Sequence, residues 1–174
     1  MAFQSTPSAA HLRLNAFAGT WEGEEHVAAS AWTSEGRASA ELSGETLFGG
    51  FFIEQRYRQT RDGAVSFEAR NVFGFDVSDQ AYKLYQFDTA GFAPPSPASG
   101  EWPGNELVLM KTSPRGRQRT VFAFENEDCY RMGVSFSPAG SDTWQEVVSG
   151  IYRRSSPTSS NLSYTKASHV YSRQ

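Results

Sequence analysis

From Thr20 to Arg154 the apolar residues recur with a period of two, and no stretch keeps a helical period long enough to count. A chain with that pattern is confined to strands that have one oily face and one solvated face. Val65, Phe67, Ala69, Asn71, Phe73 and Phe75 alternate with Ser66, Glu68, Arg70, Val72 and Gly74. Tyr130, Met132, Val134 and Phe136 alternate with Arg131, Gly133, Ser135 and Ser137, and Phe51, Ile53, Gln55 and Tyr57 with Phe52, Glu54, Arg56 and Arg58. Buried parallel strands would read as nearly continuous Val, Ile and Leu, so the pairing predicted here is antiparallel.

Turn chemistry separates the runs. Gly49-Gly50 can supply positive φ, Arg61-Asp62-Gly63 is a hairpin signal, and Ser137-Pro138-Ala139-Gly140 puts Pro and Gly where a turn uses them. The runs between such signals predict about ten strands: Thr20 to Ala28, Gly36 to Leu47, Phe51 to Thr60, Ala64 to Asp76, Ala81 to Asp88, a short piece near Gly100, Glu106 to Thr112, Gln118 to Asn126, Cys129 to Ser137 and Thr143 to Arg154. A meander of that many strands removes its exposed edges by closing, so the expected fold is all-β, one antiparallel up-and-down β-barrel. Ser8 to Ala18, with Leu12, Leu14 and Phe17, predicts a short N-terminal helix or turn that plugs one end. Phe92-Ala93-Pro94-Pro95-Ser96-Pro97 cannot sustain a ladder and is expected to be a loop, placed to act as a lid.

The expected division is one barrel domain over residues 1–154 and a Ser- and Thr-rich tail over residues 155–174, whose Leu162, Tyr164, Val170 and Tyr171 are the residues able to dock on a neighbour. With 13 Phe, 7 Tyr and 4 Trp, each worth roughly 150 to 250 Å² when buried, 174 residues can build one core without staples. Cys129 is alone and can make no internal bridge, which fits a reduced cytoplasm. Residues 1–10 lack the cationic start and apolar core of a secretory signal, and no run approaches the roughly 20 apolar residues that cross a bilayer, so neither export nor membrane insertion is expected. A net charge of −3 argues against a nucleic-acid partner; the basic run Arg115, Arg117 and Arg119 is read as a solvated hairpin tip.

The order Leu14, Phe17-Ala18-Gly19-Thr20-Trp21, then Gly49-Gly50-Phe51-Phe52, Gly74-Phe75-Asp76, Tyr82, Asp88 and a closing Tyr152-Arg153 resembles the bacterial domain-of-unknown-function 1579 family, a calycin-like group of barrels. The resemblance spans most of the chain and implies a calycin- or lipocalin-like barrel without implying an activity. It also implies that Trp21 closes the base of the barrel over the N-terminal turn, with Arg153 or Arg154 lying across the indole. Similar barrels include nitrobindin-like haem proteins, which resemblance says need a histidine shortly before the final Tyr-x-Arg. Val147-Val148-Ser149-Gly150-Ile151-Tyr152-Arg153 contains none, and His169 lies too far beyond it, so no haem or other cofactor is expected.

The candidate site residues are polar groups that share parity with oily ones. Gln55, Tyr57, Asn71, Gln86, Tyr130 and Tyr152 meet this test, and Glu146 joins them as a titratable candidate. Burying such groups without partners costs about 1 to 3 kcal/mol each, so each must bond a neighbour, a trapped water, bulged backbone or a ligand. The charged pairs Glu54 with Arg56, Glu68 with Arg70 and Glu146 with Arg153 are read as outward cross-strand pairs. His11, His26 and His169 show no ligand spacing, so no metal is expected; Cys129 follows the acidic Asn126-Glu127-Asp128, which would raise its thiol pKa. No serine sits in a nucleophile elbow and no phosphate-cradling loop is present.

Three functions are compatible with these residues. The first is binding of a small hydrophobic or amphipathic molecule in the barrel, without catalysis. An enzyme of the cyclase or isomerase kind, working by shape and a few polar contacts, is the second. A third is a packed barrel that associates with a partner or forms a homodimer through outward Phe52, Tyr85 and Phe87.

Overall fold

A computed structural model describes residues 6–31 and 33–155; the predicted docking residues of the tail lie outside that range. The chain opens with a short helix α1 (Ala9–Arg13) and a 3₁₀ turn over Leu14–Phe17. Ten strands follow: β1 (Gly19–Val27), β2 (Gly36–Leu47), β3 (Phe52–Arg61), β4 (Ala64–Asp76), β5 (Ala81–Asp88), β6 (Ala98–Glu101), β7 (Glu106–Ser113), β8 (Gly116–Asn126), β9 (Cys129–Pro138) and β10 (Gln145–Arg154). Each pairs antiparallel with its sequence neighbour, and β10 returns to pair with β1, closing the barrel. The predicted strands differ from these by two residues at most at each end. Among the described residues no helix is long and apolar enough to cross a membrane.

The turns form where the sequence supplies left-handed backbone. Asp62 and Gly63 both have positive φ, 51° and 78°, as a tight hairpin between β3 and β4 requires. The proline segment contributes no strand before β6 begins at Ala98.

One end of the barrel is sealed from within. Phe17 is fully buried, stacks on Phe73 at 4.5 Å, and meets Phe122, Phe124, Trp102 and Tyr130 at centroid distances of 5.0 to 5.9 Å. Its carbonyl accepts the Trp21 indole N–H at 3.3 Å. Gly44 lets this carbonyl approach, since a Cβ there would stand 2.1 Å from the oxygen. Arg154, rather than Arg153, covers the Trp21 ring at 4.2 Å, and its guanidinium also donates to Ala18 O at 2.6 Å and Glu127 O at 2.8 Å. Trp21 therefore closes the base. Arg13 does the same on the opposite side of the plug, lying 4.4 Å over Trp102 and donating to Trp102 O at 2.7 Å.

The other end is looser. Phe67, Asn71, Gln86, Met132, Val134, Val148 and Gly150 have inward parity yet remain partly exposed, so solvent reaches the inner wall from this mouth. Outward parity holds for Phe52, Tyr85 and Phe87, which are exposed. Phe52 lies over Gly74, Tyr85 pairs in register with Val72 and Phe87 with Arg70. A shallow depression of about 760 Å³ on the outside of β1 to β5 is bordered by Glu22, Glu41, Arg56, Arg58, Glu68 and Arg70. Its arginines are engaged: Arg58 meets Glu68 at 3.0 Å, and Glu54 meets Arg70 at 2.8 Å and Arg56 at 3.8 Å. Glu68 thus pairs across strands with Arg58 instead of with its own-strand neighbour Arg70, as the shorter cross-strand separation favours.

Candidate functional site

The inner wall of the mouth half carries a polar belt assembled from four strands and centred on Glu25. Glu25 is only 4 % exposed. Its carboxylate accepts from Tyr57 Oη at 2.8 Å to each oxygen, from Gln59 Nε2 at 2.7 Å and from Tyr152 Oη. Ala38 and Ala40 on the intervening β2 are small, which lets Tyr57 and Gln59 of β3 reach across to β1. The directions of the bonds are fixed: Ser66 Oγ donates to Gln59 Oε1 at 2.9 Å, which turns the Gln59 amide nitrogen toward Glu25 and Tyr57 Oη. Every contact to Glu25 comes from a donor, the arrangement an ionised carboxylate uses.

Tyr152 is held flat for this purpose. Its ring stacks on Tyr130 at 4.9 Å and 12° and packs against Gly23, where a Cβ would stand 2.5 Å from two ring atoms. Burial, followed by the Glu25 charge, pushes the Tyr57 and Tyr152 hydroxyls well above the ordinary phenol range. Both therefore remain donors throughout the physiological range. Tyr130 is raised by burial as well.

A second group of inward polar residues lies side by side across β3, β4 and β5, where Gln55 pairs in register with Asn71 and Asn71 with Gln86. Gln86 Nε2 donates to Asp88 at 3.0 Å. Gln55 Nε2, Asn71 Oδ1 and Tyr130 Oη are buried and have no hydrogen-bond partner. Gln55 faces the Tyr130 hydroxyl closely enough to oppose the rise that burial causes, without a well-formed bond between them, and a buried group left unsatisfied costs about 1 to 3 kcal/mol. Tyr130→Phe removes one such cost. The variant is expected to be as stable as the native chain or more stable by about 1 kcal/mol in a urea melt.

The predicted set is therefore brought together except at one position. Gln55, Tyr57, Asn71, Gln86, Tyr130 and Tyr152 line the interior, whereas Glu146 is on the outside. The pairing of β10 with β9 shifts register between Glu146 and Val148, and this bulge turns Glu146 away from the inward parity of Val148, Gly150 and Tyr152. Glu146 Oε1 instead accepts from Ser149 Oγ at 3.0 Å and lies 3.4 Å from His26 Nδ1, while Arg153, its predicted partner, turns to Cys129 Sγ. The interior carboxylate that the sequence reading overlooked is Glu25. It shares the period-two face of Trp21, Gly23 and Val27, so that parity was the available signal.

His26 now reports on the corrected position. Glu35 at 2.9 Å and Glu146 hold its pKa above 6.5. A group raised in the folded state stabilises fully below its unfolded value and loses that contribution as pH rises through its folded value. NMR titration is expected to show His26 titrating above an unstructured histidine, and Glu146→Gln to bring it down. Cys129 has a raised pKa too, chiefly from burial and then from Glu125, with the predicted acidic turn not the cause. No group of three or more metal-ligating side chains gathers among the described residues.

Comparison with solved structures shows the same fold at low identity. Rv2717c from M. tuberculosis superposes with a TM-score of 0.65 and 12 % identity, covering 87 % of this chain and 100 % of its own. The S-type phycobiliprotein lyase CPES from Guillardia theta gives a TM-score of 0.64 and 8 % identity, covering 87 % and 95 %. No curated protein matches. The family model described as "Protein of unknown function (DUF1579)" matches residues 6–154, which takes in the plug, all ten strands and the polar belt, and the chain belongs to that family.

Proposed function

We propose that the barrel binds a small hydrophobic or amphipathic molecule, entering through the mouth and oriented by the inner polar belt. The observation that carries this reading is the presence of buried groups without a hydrogen bond, Gln55 Nε2, Asn71 Oδ1 and Tyr130 Oη, on a wall where aromatic and aliphatic side chains stand beside the Glu25 belt. Ligand sites combine these features: apolar area for affinity and a few placed polar groups for orientation. The fold's likeness to a protein named as a phycobiliprotein lyase is in keeping with a barrel that handles a small molecule. The proposed setting is the cytoplasm, which a chain with one cysteine fits.

The test is titration with N-phenyl-1-naphthylamine, a neutral apolar probe that fluoresces when buried. Saturable binding is expected, and Val134→Trp, which places an indole on the partly exposed inner wall, is expected to weaken it at least tenfold. Weak, non-saturable fluorescence unchanged by the substitution would mean that the interior takes no ligand.

A further inference from the structure

We propose that the head group this barrel takes is a cationic nitrogen, an amine or protonated heterocycle, seated against the Glu25 carboxylate; this rests on the reading that the inner wall binds an amphipathic molecule. Glu25 is a buried acid whose bonding partners, Tyr57, Gln59 and Tyr152, are all neutral. None of the ion pairs found among the described residues includes it. Buried charges in proteins are ordinarily paired, because neutral donors offset only part of the lost hydration. A cation arriving from solvent completes the pair, and an anion is repelled by it.

Three further observations favour the same class. Tyr57 reaches Glu25 with a single O–H forked between the two oxygens, so one of its two contacts can be yielded to an incoming N–H. Asn71 Oδ1 is a second buried acceptor without a donor. The rings surrounding Glu25 are aromatic: Tyr57 and Tyr152 bond it directly, Tyr130 stacks on Tyr152, and Phe67 meets Tyr57 at 6.0 Å. A partly exposed ring on this wall, such as Phe67, attracts an ammonium group and not a carboxylate. Gln55, 1 % exposed with its amide nitrogen unpaired, and the fully buried Tyr130 hydroxyl then supply donors for a carbonyl or ether oxygen of the same ligand.

The experiment uses the full chain and three amphiphiles that share one tail: octylamine, octanol and octanoate, compared by isothermal calorimetry at pH 7. Octylamine is expected to bind at least tenfold more tightly than octanol, with octanoate weakest. Glu25→Gln, which keeps the size and removes the charge, is expected to reduce the amine's advantage over octanol to below threefold. The native comparison stands even if that variant melts early. Equal binding of all three, or a preference for octanoate, would overturn the proposal while leaving the binding reading intact. Failure of all three to bind would overturn both.

Discussion

Phe17→Ala is expected to destabilise the protein by about 3 to 5 kcal/mol, the usual range for deleting a fully buried aromatic ring, and so to lower Tm by on the order of 10 °C in calorimetry. The side chain has no exposed surface and touches rings from β4, β8 and β9 as well as Trp102, so its loss opens a void that no single neighbour can fill. Closure of the base should survive in part, because Trp21 bonds the Phe17 carbonyl and Arg154 the Ala18 carbonyl, both backbone groups. Probe binding at the mouth is expected to persist at temperatures where the variant remains folded. A variant as stable as the native chain would show that the plug is not part of the core.

Gly23→Ala is expected to cost about 1 to 3 kcal/mol and to reduce ligand binding at least tenfold. The new methyl would meet Tyr152 Cδ1 and Cε1 at 2.5 Å, in a place where Tyr152 is also confined by Tyr130. The ring must therefore move, and its bond to Glu25 must break or lengthen. Equilibrium urea unfolding measures the first effect and probe titration the second. Unchanged binding in a folded variant would show that the placement of Tyr152 does not matter to the site.

Much of this was legible because a strand offers only two faces. The parity of Ile53 and Phe73 placed Gln55, Tyr57 and Asn71 inside, and turn chemistry at Asp62-Gly63 fixed where β3 ended. Parity fails where an extra residue enters a strand, and the bulge beside Val147 sent Glu146 outward on that account. Glu25 was hidden for a different reason. It stands among Glu22, Glu24 and His26 in a run that reads as solvated, and Trp21, Gly23 and Val27 mark its face as the buried one. What no local pattern shows is convergence: Tyr57, Gln59 and Tyr152 lie 32, 34 and 127 residues from Glu25, and the closure of β10 onto β1 brings the last of them there.

Native mass spectrometry of the full chain purified from its own host decides whether the inner polar wall holds a small molecule. A non-covalent small-molecule adduct is expected on the native protein, and it is expected to be lost in Val134→Trp. Bare chain in both proteins, together with no saturable uptake of N-phenyl-1-naphthylamine, would contradict the binding reading.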